Sequence, residues 1–90
     1  KMKNIKELEK QLKAVANHRR LEILKYLKTH REAPVGEIAG AINLSFRSTS
    51  KHLVVLSSAD IVGKEQRSLQ IFYRVNLSHH PVIKNILFFL

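Results

Sequence analysis

Ninety residues provide one domain, which excludes a two-domain enzyme with a cleft between its domains. The absence of cysteine excludes disulfides, thiolate metal sites and cysteine nucleophiles. Sixteen Lys and Arg against seven Asp and Glu give a formal net charge of +9, which indicates an acidic partner. Nucleic acid is the commonest such partner of a small basic domain, ahead of an anionic membrane surface or an acidic protein.

The size and hydropathy of the chain indicate a folded domain that associates. The hydrophobic fraction of 44% is typical of a globular protein. A monomer this small buries only about 60% of its unfolded surface, so oligomerisation is expected. Residues 1–30 are charged throughout, with Met2 interpreted as the native start, so we expect no signal peptide and a cytoplasmic protein. The apolar segment 82–90 is shorter than the roughly 20 residues that span a bilayer, and no membrane partner is expected.

Apolar spacing predicts two helices at the start of the chain. The first covers about residues 3–16, because apolar side chains recur there every three or four positions. Asn17 is predicted to cap the second, which ends at 30–34. Its inner stripe is predicted to consist of Leu21, Leu24 and Leu27.

The next segment predicts a helix-turn-helix. A short helix is expected from Val35 to about Ile42, followed by a three-residue turn that ends at Ser45. Ser45 is suited to cap a fourth helix from Phe46 to about Ala59. Its inward side chains are predicted to be Thr49, Leu53 and Leu56, and its outward ones Arg47, Lys51, Val54 and Ser58.

After Asp60 the period changes to two, which predicts a hairpin. The strands are expected at 61–64 and 69–75, with the tip at 65–68 and the side chain of Leu69 on the same face as Tyr73. Ser78 is predicted to cap a last helix over about 79–90, apolar on almost all sides. The fold class is therefore mainly α with a small β-hairpin, a single winged helix-turn-helix domain over residues 1–90.

Four segments in this order resemble the ArsR-type family of bacterial and archaeal winged-helix repressors. They are residues 12–24, 35–39, 44–56 and 71–75. The resemblance implies DNA binding through the fourth helix and the hairpin wing, and dimer formation through the first and last helices. Three positions depart from the family pattern. Asp60 stands where a Gly is usual, the wing tip lacks its usual Gly, and Phe46 replaces a polar residue.

The outward face of the fourth helix and the resemblance point to the same DNA-binding positions. Arg47, Ser50 and Lys51 are expected to enter the major groove, where Arg or Lys donates to guanine O6 and N7. A solvated helix face, or a solvated loop for the wing, is the alternative. The full candidate set is Ser45, Phe46, Arg47, Ser48, Ser50, Lys51, His52, Lys64 and Arg67.

Four side chains in or near this candidate set each have two possible roles. Val54 contacts a thymine methyl or packs on a neighbour. His52 lies near the DNA backbone or makes a structural hydrogen bond. Arg19 and Arg20 stand at a helix start, where positive charge is unfavourable, so a phosphate or a carboxylate partner is expected for them.

The terminal helices are the predicted dimer interface, with an ordinary monomer core as the alternative. Their candidate contact residues are Ile5, Leu8, Leu12, Ile83, Ile86, Leu87 and Phe89. Many members of the family sense metals, and one family site uses Asp and His on the last helix. Here that region offers only His79 and His80, and adjacent helical positions face different directions. We therefore expect no metal and no cofactor.

The predicted function is a transcriptional regulator, a repressor that binds a pseudo-palindromic operator in double-stranded DNA as a homodimer. A winged-helix module that binds proteins without specific DNA binding is the alternative. An enzyme is not expected, because no nucleophile, base and orienting group can be placed together. The residues do not specify an operator, target genes or an effector.

Overall fold

The computed structural model describes residues 4–76 and 81–90. Within them, five helices and a three-stranded sheet form the predicted winged helix-turn-helix. The elements are α1 (Ile5–Val15), α2 (His18–His30), β1 (Glu32–Pro34), α3 (Val35–Ile42), α4 (Phe46–Ser58), β2 (Val62–Arg67), β3 (Gln70–Val75) and α5 (Pro81–Phe88). The predicted cap Ser78 and the two histidines before α5 lie outside the described residues.

Side-chain caps start three of the helices. Asn4 accepts from the backbone N–H of Glu7, Asn17 from that of Arg20, and Ser45 from that of Ser48. Each bond satisfies a backbone donor that a helix start leaves without an intrahelical partner. The predictions for Asn17 and Ser45 are confirmed.

Helix α2 is the centre of the core, and its predicted inner stripe needs correction. Leu24 and Leu27 are buried as predicted, but Leu21 is only half-buried and Ile23 is completely buried. The cause is tertiary, because α2 contacts all four other helices as well as β1 and β3. A helix packed against this many elements does not show a single apolar stripe.

The sheet has the order β1-β3-β2, with both pairings antiparallel. Strand β1 was not predicted. It is three residues long, includes Pro34, and pairs with residues about 40 positions later, Ala33 lying opposite Tyr73. Such a short edge strand has no periodicity that a sequence could show.

The hairpin tip also differs from its prediction. Residues 65–67 continue β2, and the tip is the pair Ser68 and Leu69. Ser68 has a φ of 58°, so it supplies the positive φ that a tight hairpin usually takes from Gly. Leu69 therefore leaves the strand face on which it was predicted, and its side chain is 97% exposed.

Positive φ angles also end the two helices of the helix-turn-helix. Asn43 ends α3 in the left-handed region, with φ 56° and ψ 52°. Asp60 has a φ of 60° directly after α4, the conformation that Asp and Asn tolerate better than most residues. Asp60 thus adopts the positive φ for which Gly is usual at this position of the family.

Helix α5 divides its apolar side chains between the core and the surface. Ile83 and Leu87 are buried, whereas Phe88 and Phe89 are 79% and 82% exposed. No helix in the described part of the chain is long and apolar enough to cross a bilayer.

Candidate DNA-binding interface

Helix α4 presents the two faces that its sequence predicted. Thr49, Leu53 and Leu56 are completely buried. The four side chains predicted to face outward are all exposed: Arg47, Lys51, Val54 and Ser58. The Thr49 hydroxyl donates to the Ser45 carbonyl over 2.8 Å, which satisfies the buried polar group. The helix is therefore anchored on one side and free on the other.

The start of α4 is exposed and ordered by its cap. The Ser45 Oγ accepts from the Ser48 N–H at 3.1 Å, and both Ser45 and Phe46 are exposed, the latter by 63%. An exposed aromatic ring here gives the helix start an apolar surface. Backbone N–H groups at such a helix start can hold a phosphate.

His52 makes a structural hydrogen bond, which is one of the two roles predicted for it. An Arg20 Nη1 lies 3.1 Å from the His52 Nδ1. Burial, together with the positive charges of Arg20 and Arg19, lowers the pKa of His52. The imidazole is held neutral between α2 and α4.

Arg19 and Arg20 have protein partners that explain positive charge at the start of α2. Arg19 Nη1 donates to the Ile42 carbonyl at 2.7 Å and to a Glu22 carboxylate oxygen at 3.0 Å. Arg20 Nε donates to the Ala14 carbonyl at 2.6 Å. These bonds satisfy carbonyls at the ends of α3 and α1 and fix α2 against both helices.

The predicted wing residue Arg67 is held inside the protein's own charge network. Its guanidinium donates to both Glu32 oxygens, at 2.6 and 2.8 Å, and to Glu65 at 3.0 Å. It also lies 4.6 Å from the centroid of the Phe72 ring. The guanidinium lowers the pKa values of Glu32 and Glu65, because it stabilises both carboxylates. A phosphate would have to compete with these acids for Arg67.

The remaining wing residues are available at the surface. Lys64 is exposed and makes no hydrogen bond or ion pair with any residue in the ranges 4–76 and 81–90. Leu69, which is not among the residues predicted to bind DNA, lies exposed at the wing tip. Its apolar character suited a strand face, and only the position of the turn shows that it projects from the wing.

The predicted dimer residues separate into surface and core. Ile5 and Leu12 are 84% and 43% exposed, and a surface cleft along α1 is lined by Ile5, Leu8, Leu12 and Ala16. Ile86 on α5 is half-buried, and Phe89, directly after α5, is exposed. Ile83 and Leu87 are corrected to core residues of the single chain, because their side chains offer almost no surface to a second copy.

These features define a winged helix-turn-helix protein with a free basic face on α4, the second helix of its helix-turn-helix. The family model described as "Bacterial regulatory protein, arsR family" matches residues 17–64. The chain belongs to that family, whose members and structural neighbours here are transcriptional regulators rather than enzymes.

Individual relatives agree with this assignment. The chain is 35% identical over 80 residues to the transcriptional activator HlyU of Vibrio cholerae, covering 81% of this chain and 73% of that protein. The solved structure of reduced HlyU from Vibrio cholerae has a TM-score of 0.80 at 30% identity, over 94% of this chain and 85% of that one. The homodimeric winged helix-turn-helix DNA-binding domain of Mb0332 from Mycobacterium bovis has a TM-score of 0.79 at 26% identity, over 93% and 74%.

Proposed function

We propose that the chain is a sequence-specific regulator that binds a pseudo-palindromic operator in double-stranded DNA as a homodimer. The observation that carries the proposal is the outward face of α4. Arg47 and Lys51 lie one helical turn apart, are exposed, and have no hydrogen bond or ion pair with the described residues. Both cations are therefore available to a ligand, unlike Arg19, Arg20 and Arg67.

The candidate residues at the start and on the outward side of α4 have two kinds of proposed contact, with bases and with the sugar-phosphate backbone. Arg47 and Lys51 donate to guanine O6 and N7 in the major groove, with Ser50 beside them and Val54 against a thymine methyl. Helix α4 is the recognition helix of this proposal. The remaining candidate residues at its start and along it lie close to the sugar-phosphate backbone, and Ser45 holds a phosphate at the helix start. They are Ser45, Phe46, Ser48 and His52.

The wing makes the second contact in the proposal. Lys64 reaches a phosphate, and Leu69 enters the minor groove, where apolar side chains are used as wedges between base steps. Arg67 contributes only if it exchanges Glu32 for a phosphate. Most of the affinity is then electrostatic and declines steeply with salt.

A homodimer supplies the second recognition helix. Exposed Ile5 and Leu12 on α1 and Phe89 directly after α5 provide apolar surface, and the Mycobacterium bovis relative is described as homodimeric. Two recognition helices read half-sites about 34 to 36 Å apart on one side of the DNA. For the direction of regulation we propose repression by occlusion of a promoter, although the Vibrio cholerae relative is named an activator. Transcription in vitro from a promoter that contains the operator distinguishes the two.

Selection of bound duplexes from a random DNA library, at two salt concentrations, tests the proposal. The wild-type chain should enrich an inverted repeat, and Arg47→Ala should lose it. Lys25→Ala, which removes an exposed charge from α2, is the matched control and should enrich the same repeat. If no sequence is enriched and all binding is lost at moderate salt, the specific contact is refuted and a protein-binding module takes its place.

A further inference from the structure

A cleft separate from the recognition helix lies between the end of α2, the end of β3 and helix α5. Its volume is about 520 Å³, within the range of about 300 to 1,000 Å³ that small-molecule sites occupy. Its apolar wall is formed by Leu27, Val75, Leu87 and Phe88. The cleft has room for an apolar group that water solvates poorly.

The rest of the lining is entirely basic. Lys28, Arg31, Arg74 and Lys84 line the cleft, and no acidic residue of the described ranges 4–76 and 81–90 does. Lys28 Nζ already donates to the Leu87 carbonyl at 2.8 Å, and Arg74 lies 3.4 Å from a Glu65 oxygen. Arg31 and Lys84 have no hydrogen bond or ion pair with residues 4–76 or 81–90. Neither cation is therefore directly paired within the described chain, and the neighbouring Glu32, whose pKa is lowered by Arg67 and also by the charge of Arg31, is itself paired with Arg67.

The backbone at Arg31 is a second, independent observation. Arg31 follows α2 with φ 66° and ψ −54°, a conformation close to that of the rare and strained γ-turn. Strain of this kind, outside glycine, concentrates at ligand-binding sites and has to be held by the surrounding structure. Here the residue in this conformation is Arg31, which lines the cleft.

We propose that this cleft binds a small organic anion with an apolar tail, a carboxylate in the first instance, and that its binding weakens the interaction with DNA. The tail occupies the apolar wall, and the carboxylate lies between Arg31 and Lys84. A second copy of this chain suits the cleft less well, because two copies would bring like charges together.

The DNA itself does not suit the cleft either. Arg74 stands five residues after the wing tip at Leu69, about 17 Å along an extended strand. The cleft thus lies at the opposite end of β3 from the surface proposed to meet DNA. It does touch α5, the proposed dimer helix, and β3, a strand of the wing, so a ligand there links both elements.

The effect on DNA rests on the proposed function, whereas the binding site does not. A bound carboxylate reduces the positive potential of the protein and fixes α5 relative to β3. Coupling between two sites commonly changes affinity at least about fivefold. We expect a loss of operator affinity of this size at saturation.

Titration calorimetry of the full chain with octanoate tests the site directly. Octanoate should bind, while acetate, which lacks the tail, and octan-1-ol, which lacks the charge, should bind much more weakly. Octanol binding as tight as octanoate would overturn the role of the cations. Absence of octanoate binding would overturn the proposal, and binding of octyl phosphate alone would replace the carboxylate by a phosphate head group.

Two variants locate the site. Arg31→Gly removes the charge and permits the positive φ, so it leaves the fold intact, and Lys84→Ala removes the second cation. The double variant should bind octanoate about tenfold more weakly, whereas Lys25→Ala, on α2 outside the cleft, should match wild type. Equal affinity in the double variant and wild type would refute the assignment to this cleft.

The effect on DNA binding is measured separately, as the affinity for the selected operator with and without saturating octanoate. Unchanged operator affinity with octanoate bound would refute the regulatory part alone. A chain that binds octanoate but no DNA sequence would refute the proposed function and leave the site standing.

Discussion

Arg20 on α2 and His52 on α4 are joined by a contact of 3.1 Å between a guanidinium nitrogen and the imidazole Nδ1. A guanidinium has no acceptor, so Nδ1 accepts the bond and the ring proton is on Nε2. The pair therefore holds the recognition helix through a neutral histidine whose Nε2–H is left as a donor. Burial, first, and the charges of Arg20 and Arg19 favour this neutral form.

The lowered pKa of His52 predicts an acid-dependent loss of stability. The unfolded histidine titrates near 6.5, while the folded one titrates at lower pH. Below pH 6.5 the unfolded chain binds the proton more readily, so stability decreases as pH decreases from 7.5 towards 5.5. Urea denaturation should show this decrease in wild type and a smaller one in His52→Gln. Identical pH profiles would contradict the assignment.

Arg20 should matter for stability rather than for sequence preference. Arg20→Lys loses the bonds to the Ala14 carbonyl and to His52, because one ammonium cannot reproduce the planar fork. We expect a loss of about 1 to 2 kcal/mol in the free energy of unfolding. Arg47→Lys, on the free face, is the control and should unfold like wild type. A stable Arg20→Lys would argue against the bonding role.

Removal of the charge on Glu32 should strengthen DNA binding. In Glu32→Gln the main partner of Arg67 becomes neutral, so that of its two acidic partners only Glu65 still competes with a phosphate for the guanidinium. The affinity should increase, and the dependence of log K on log salt should steepen by about one unit. Glu7→Gln, at the start of α1, removes an equal charge away from the wing. If both variants gain equally, only the net charge matters.

Asn43 should resist replacement by residues that disfavour the left-handed region. Its φ of 56° and ψ of 52° cost most L residues about 1 to 2 kcal/mol. Asn43→Ala should therefore lower the free energy of unfolding by about 1 kcal/mol, while Asn43→Gly should stay near wild type. Thermal denaturation of both variants measures this. A tolerated Asn43→Ala would show that the turn relaxes.

The dimer depends in the proposal on exposed apolar side chains of the terminal helices. Phe89→Asp should raise the dimer dissociation constant by about 30-fold, the equivalent of about 2 kcal/mol at an anchor residue. Sedimentation velocity measures the change. Leu69→Asp places the same charge on another exposed apolar residue, at the wing tip, and should leave association unchanged. Equal loss in both would refute this interface.

Several site features could not be predicted from the sequence because their partners are remote along the chain. From the sequence Arg67 is a free cation. In the structure it is paired with Glu32 of β1, which lies 35 positions earlier in the chain. The sequence predicts Leu69 as a strand residue. In the structure Arg67 pairs with Gln70, so Leu69 lies in the turn between them. The contact between Arg20 and His52 spans 32 positions.

Periodicity and capping chemistry are local, and they determined most of the elements. The spacing of Thr49, Leu53 and Leu56 fixed which face of α4 is buried, because a helix repeats every 3.6 residues. Ser45 and Asn17 marked helix starts through bonds to residues three positions on. The fold class and the basic outward face follow from these local rules.

Tertiary structure alone decided which charges are free and which apolar residues are exposed. Ile83 and Phe89 belong to the same apolar segment, yet one is completely buried and the other is 82% exposed, because α2 covers only one side of α5. Arg47 and Arg67 are likewise the same residue type, and only the second meets carboxylates. Burial and pairing depend on elements distant in sequence, whereas helix and strand periods depend on neighbours.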